Sequence, residues 1–103
     1  MKRLILLFFS LAVSASTSFA VPDTVVVQIK QDAAQKFPGD YSTQLYVVNK
    51  QKASYTELAE EAFTGCESIL DEIMQAAAQK FPGDYSTQLY VVKKDCAAYL
   101  QLQ

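Results

Sequence analysis

Residues 33–48 read AAQKFPGDYSTQLYVV, and residues 77–92 read the same sixteen letters, 44 positions further along the chain. A period of this length is typical of helical pairs that stack on one another, because each pair is too small to bury its own apolar face. The chain is therefore interpreted as two copies of one unit, about residues 22–63 and 66–103. Similar residues extend the match at the same spacing: Val25 with Ile69, Val26 with Leu70, Ile29 with Ile73, Ala53 with Ala97, and Tyr55 with Tyr99.

The second copy decides which secondary structure the unit adopts. Residues 66–81 place apolar side chains three and four positions apart with acids between them, which is the pattern of an amphipathic helix. The equivalent segment of the first copy, residues 24–29, is rich in valine and by itself favours a strand. Because equivalent segments of a duplicated unit share a backbone, both are predicted to be helices.

Each copy has Phe-Pro-Gly-Asp between its two predicted helices, at residues 37–40 and 81–84. Proline ends the first helix, glycine permits a positive φ, and the aspartate caps the free amides of the next helix. Such a turn reverses the chain, so the predicted fold is all-α, with two tandem antiparallel helical hairpins packed as a small four-helix bundle. The predicted turn and cap residues are Pro38, Gly39, Asp40, Pro82, Gly83 and Asp84.

The first twenty residues have the features of a secretion signal. Lys2 and Arg3 precede an apolar run over residues 4–15, and small residues stand before a cleavage point after Ala20. The run is about twelve residues, whereas a helix that spans a membrane needs roughly twenty. We therefore predict a signal peptide and a mature helical domain over residues 21–103. The expected location is periplasmic or secreted, with no stable membrane anchor after cleavage.

The charge and the residue types of the mature chain exclude several functions. Without Lys2 and Arg3 it has seven lysines against eleven acids, so nucleic acid is not an expected partner. It has no arginine, and the whole chain has no histidine. These residues most often clamp anions, exchange protons near neutral pH or bind metals. We therefore predict no catalytic residue, no cofactor and no metal site.

One stretch of acidic residues without an intervening base allows two interpretations. Calcium or magnesium needs several oxygens that converge from a loop, which this spacing does not supply. Like charges one helical turn apart are typical of a solvated face or a weak docking patch, which is the favoured interpretation. The stretch contains Glu57, Glu60, Glu61, Glu67, Asp71 and Glu72.

The two cysteines, Cys66 and Cys96, are predicted to form a disulfide bond. They lie at similar heights on either side of the turn at residues 82–83, and both continue the apolar seam. An exported chain meets an oxidising compartment, which favours this bond. A catalytic thiol at Cys66 is the alternative, but neither a histidine nor a second nearby cysteine supports it. The first hairpin has Pro22 and Lys52 at the equivalent positions, and it is predicted to be the looser half.

The tyrosines, three in each copy, are either core residues or a platform for a partner. Tyr46 and Tyr90 fall beside the predicted helix seams. This second stripe of side chains is either where the two hairpins meet or where a partner binds. Packing between the hairpins is the favoured interpretation for this stripe. The other four lie on the seams and are assigned to the core: Tyr41, Tyr55, Tyr85 and Tyr99.

The phrase KFPGDYSTQLY at residues 36–46, followed by Gln51, Ala53 and Tyr55, resembles a segment of small uncharacterised bacterial proteins. In those proteins an aromatic residue, proline, Asp-Tyr and a later glutamine and Ala-Tyr recur within helical stretches. The resemblance implies a helical structure and carries no known activity, so it transfers no functional residue. The second copy departs from it with Asp95 where the first has Gln51, so a shared polar role is not implied there.

The expected function is that of a non-enzymatic binding or structural module of the bacterial cell envelope, for which an unidentified protein is a possible partner. A thiol-redox or hydrolytic enzyme is the first alternative, and it requires thiols that can be alkylated in the native protein. A membrane-surface helical protein is the second alternative, which the acidic charge of the chain disfavours.

Overall fold

The computed structural model describes residues 20–61 and 63–103. The predicted signal peptide lies outside the described residues except for Ala20, its last residue. Within the described ranges the chain forms helices and no strand, which confirms the predicted all-α fold. The elements are α1 (Asp23–Lys36), α2 (Tyr41–Glu60), a short 3-10 turn (Glu67–Ile69), α3 (Leu70–Lys80) and α4 (Tyr85–Gln101).

The valine-rich segment at residues 24–29 is part of α1, although its residues favour a strand. Ile29 of this helix is almost completely buried beside Ala33 and Val48. Burial of one apolar stripe stabilises the helix, whereas the β-branched residues cost only a few tenths of a kcal/mol each. Tertiary packing therefore outweighs the local preference.

The two interhelical turns are built in the same way. The backbone N–H of Phe37 donates to the Ala33 carbonyl at 2.9 Å, and the N–H of Asp40 donates to the Phe37 carbonyl at 3.1 Å. The corresponding bonds of the second turn have the same lengths. Gly39 and Gly83 take φ angles of 77° and 75°, a left-handed conformation that glycine adopts without strain. The shared sequence therefore produces the same local structure twice.

An aspartate caps the second helix of each hairpin. Asp40 accepts hydrogen bonds from the Thr43 N–H at 3.2 Å and from the Thr43 hydroxyl at 2.7 Å. Asp84 accepts the equivalent bonds from Thr87 at 3.3 and 2.7 Å. Each cap satisfies an amide at the helix start that has no partner within the helix.

The helices pack in the order α1, α2, α4, α3, so that α2 and α4 are the two central helices of a small four-helix bundle. The core has two parts. The smaller part lies in the first hairpin and contains Ile29, Ala33 and Val48. The larger part joins the second hairpin to the end of α2, and its buried residues are Leu58, Cys66, Leu70, Ile73, Ala77, Leu89, Val92 and Cys96.

Cys66 and Cys96 form a disulfide bond inside the larger core, as predicted. Their Cα atoms lie 5.6 Å apart, and the bond ties the start of the second hairpin to α4. Because the first hairpin has a smaller core and no such bond, its greater looseness stays a prediction with a physical reason.

Candidate functional site

The turn of the second hairpin docks on the first hairpin through two glutamines. The amide nitrogen of Gln51 donates to Asp84 Oδ1 at 3.1 Å, and its amide oxygen accepts from the Ser86 N–H at 2.9 Å. The Tyr85 hydroxyl donates to Gln28 Oε1 at 3.2 Å. Both glutamines belong to the first copy and bind the turn of the second copy. The first copy contains a turn of the same sequence at residues 37–40.

Apolar contacts continue this junction along the helices. The ring of Tyr85 meets the ring of Tyr55 edge to face, with centroids 5.0 Å apart, and Tyr85 packs against both parts of the core. Leu58 of α2 and Leu89 of α4 are buried in the same cluster. The first half of α4 thus lies on the second half of α2. The contact is asymmetric, because two helices of related sequence use different parts of that sequence.

Hydrogen bonding decides the ionisation of Asp84 at this junction. Burial acts to raise the pKa of Asp84, but four hydrogen bonds to the carboxylate outweigh it and hold the pKa below its usual value. They come from the Thr87 hydroxyl, the Gln51 amide, the Thr87 N–H and the Ser86 hydroxyl. Burial, with the nearby Tyr55 and Asp32, raises the pKa of Tyr85, so its hydroxyl keeps the proton that it donates to Gln28.

We expect Asp84 to make the unfolding free energy depend on pH in acid. The pKa of Asp84 in the folded state lies below the unfolded value of about 3.9. Its contribution to the unfolding free energy is therefore present above that pH and is lost as pH falls through the folded-state pKa. Urea unfolding of the wild type and of Asp84→Asn should therefore differ at pH 7, and the difference should shrink as pH falls below the unfolded value. Glu60→Gln, a change of an exposed acid on α2, is the control. A difference that stays constant across this range would contradict the prediction.

Gly83 and Gly39 have the same local conformation but different surroundings. A Cβ at Gly83 would lie 2.7 Å from Gln28 Nε2, whereas a Cβ at Gly39 would meet nothing within 4 Å. Both Gly→Ala changes incur the left-handed strain of about 1–2 kcal/mol. Gly83→Ala should lower the unfolding free energy by about 1 kcal/mol more, because Gln28 must leave its hydrogen bonds.

Urea unfolding of the two glycine variants measures this difference. Repeating the comparison with Gln28→Ala in both chains removes the side chain that the new Cβ would meet, so the two changes should then have equal effects. A difference that persists without Gln28 would show that the turn, and not the junction, is its source.

The exposed tyrosines differ from the sequence prediction. Tyr46 and Tyr90 are 65% and 66% exposed, so the favoured interpretation of packing between the hairpins is wrong, and the alternative of a surface for a partner stays a prediction. Tyr41, assigned to the core, is 77% exposed. The reason is that α2 and α4 meet through the face that carries Tyr55 and Tyr85, which leaves the start of α2 uncovered among the described elements.

A groove of about 230 Å³ is lined by side chains of α2, α3 and α4 and by Glu61, the residue that follows α2. A smaller cavity of about 40 Å³ separates α1 and α2 from the second turn. Within residues 20–61 and 63–103, no group of three histidine, cysteine, aspartate or glutamate side chains is placed to hold a metal ion. The groove is lined by Tyr55, Leu58, Ala59, Glu61, Met74, Tyr85 and Gln88.

Glutamine side chains have two roles that the sequence did not indicate: binding to the turn of their own hairpin and binding across the junction. Gln44 and Gln88 donate to the carbonyls of Phe37 and Phe81 at 2.7 and 2.8 Å, which ties each helix start to its own turn. Gln51 binds across the junction, and the one signal of that role was the change to Asp95 in the second copy. Polar residues that act between hairpins leave no periodic pattern, so spacing cannot reveal them.

Comparison with known proteins gives no relative. The chain matches no protein-family model, no curated protein and no solved structure. Of the helices that the structure describes, none is both long enough and apolar enough to cross a membrane.

Proposed function

We propose that this chain is an exported, non-enzymatic binding or structural module of the bacterial cell envelope. The observation that carries the proposal is the exposed start of α2, where Tyr41 and Leu45 stand 77% and 62% open to solvent. Their counterparts Tyr85 and Leu89 are packed against α2 in the same chain. A sequence that forms a protein contact in one copy is thus presented to solvent in the other.

The sulfur chemistry supports a structural role for the cysteines over a redox enzyme. Cys66 is completely buried and Cys96 nearly so, and both belong to the larger core. Thiol exchange needs an attacking thiolate to reach one of the two sulfurs. A buried bond of this kind is typical of stabilising disulfides in proteins from oxidising compartments, and it is compatible with a periplasmic or secreted location.

Export is tested on the protein recovered from cells. We expect the intact mass of periplasmic or secreted material to correspond to a chain that starts at Val21, with both cysteines resistant to alkylation until a reductant is added. A chain that keeps residues 1–20 in the cytosol, or thiols that react in the native protein, would overturn the proposed location.

The binding role is tested by capture from periplasm or culture medium on the immobilised, oxidised chain. The bait is compared with a Tyr41→Ser/Leu45→Ser variant, which changes only exposed side chains, and with Val27→Ser, an exposed apolar residue of α1, as the control. The captured protein should be lost with the double variant and kept with the control. Equal capture by all three baits, or none by any, would overturn the role assigned to the start of α2.

A further inference from the structure

Two surfaces are needed for the contact between the hairpins, and each has a counterpart in the other copy. We define the docking face of α4 as Asp84, Tyr85, Ser86 and Leu89, which bind α2. We define the receiving face of α2 as Gln51, Ser54, Tyr55 and Leu58, which lie on the second half of that helix.

The docking face is present a second time with unchanged residues, and none of the described elements covers its tyrosine and leucine. The first copy has the same four residue types at the start of α2, and its tyrosine and leucine are among the most exposed large side chains of the described chain. The local structure is also the same, because the cap and the turn before it have matching hydrogen bonds. The docking face of α2 consists of Asp40, Tyr41, Ser42 and Leu45.

The receiving face is also repeated, on the second half of α4 and on Leu102, the residue that follows this helix. Tyr99 and Leu102 stand where the first copy has Tyr55 and Leu58, so both large apolar members of the face are retained. Leu102 is 82% exposed, whereas Tyr99 is half-buried, packs against the larger core and shares a hydrogen bond with the Ser68 hydroxyl, so Leu102 is the open apolar member of the face. The two remaining positions are changed and exposed: Asp95 replaces Gln51, and Ala98 replaces Ser54.

We infer that the open faces bind each other between molecules, so that a second copy of this chain docks the start of its α2 on the end of α4. The inference names the partner for the proposed binding role and therefore rests on it. The contact is heterologous, since different surfaces meet, and each added copy presents one free face of each kind. Head-to-tail association follows, as in stacks of helical repeats.

Asp95 determines how strong this association is. Gln51 both donates to the cap carboxylate of Asp84 and accepts from the Ser86 N–H. In the contact between two molecules, Asp95 of one copy can accept a hydrogen bond from the Ser42 N–H of the other. Its carboxylate would also lie beside the Asp40 carboxylate of that copy, and the two negative charges repel each other. Asp95 therefore weakens a contact that its neighbours Tyr99 and Leu102 favour, and it limits how far the stack grows.

The test is sedimentation velocity of the oxidised mature chain at pH 7 between about 10 μM and 1 mM, a range suited to weak association. We expect reversible association of the wild type at the upper end. Asp95→Gln should strengthen it at least tenfold, because the amide restores both hydrogen bonds. Tyr41→Ser/Leu45→Ser should abolish association in both backgrounds. Val27→Ser should leave it unchanged, because this exposed residue of α1 belongs to neither face.

All the substituted side chains are exposed, so circular dichroism should show an unchanged helical fold in every variant. A chain that stays monomeric as wild type and as Asp95→Gln at 1 mM would overturn the inference, as would association that survives the double variant. If such a monomer still captures another envelope protein through Tyr41 and Leu45, the inference fails and the proposed function stands. If it captures nothing, both fail.

Discussion

Removing the Cys66–Cys96 bond is expected to lower the free energy of unfolding by about 3–4 kcal/mol, the largest effect that we predict for two substitutions. The bond closes a loop of 30 residues, and closing such a loop restricts the unfolded chain more than the folded one. For a chain of this size the loss is a large share of the total stability.

The measurement is urea unfolding of the wild type and of Cys66→Ala/Cys96→Ala at about 25 °C, with far-ultraviolet circular dichroism as the signal. Alanine is preferred because both sulfurs are buried and serine would add an unpaired hydroxyl there. The wild type in reductant is the control for lost sulfur volume, and it should lose most of the same free energy. A loss below about 1 kcal/mol would mean that the core alone holds the second hairpin, contrary to the loop-closure argument.

Replacing Leu89 with alanine is expected to cost about 2–4 kcal/mol, whereas Leu45→Ala should cost less than about 0.5 kcal/mol. Both leucines stand in the same sixteen-residue sequence, so helix propensity and capping are matched. Leu89 is buried in the larger core, while Leu45 is exposed. The difference between the two costs therefore measures the tertiary contact alone.

Urea unfolding of both leucine variants gives this comparison at low protein concentration, where molecules do not associate. Val92→Ala and Val48→Ala extend it to a pair in which both residues are buried, so their costs should be closer to each other. Equal costs at Leu45 and Leu89 would contradict the packing of α4 on α2.

The sequence predicted those parts of the fold that depend on near neighbours. Helix periodicity placed the second hairpin, and the duplication corrected the strand preference of the first. The two cysteines were paired from their distances to the turn, and the structure contains that bond. The second hairpin and the cysteine pair need only the geometry of one hairpin, which spacing along the chain determines, whereas α1 also needed the comparison of the two copies.

The candidate site was predicted less well. Tyr41 was assigned to the core, and packing at the junction was favoured over a partner surface for Tyr46 and Tyr90, yet all three are exposed. Gln28 and Gln51, which bind the second turn, were given no role there. Contacts between residues distant in the sequence decide which face of a helix is covered by another helix. A broad amphipathic pattern is compatible with burial of either of two faces and does not distinguish them.

The helices, their turns, their aspartate caps and the pairing of the cysteines follow from the sequence, because side-chain spacing within a hairpin and the match between the two copies suffice for them. The burial of Tyr85 and the exposure of Tyr41 follow from packing between the hairpins, since the two residues lie in identical segments. Burial depends on what stands opposite a side chain. Here α2 stands opposite the start of α4, and none of the described elements stands opposite the start of α2.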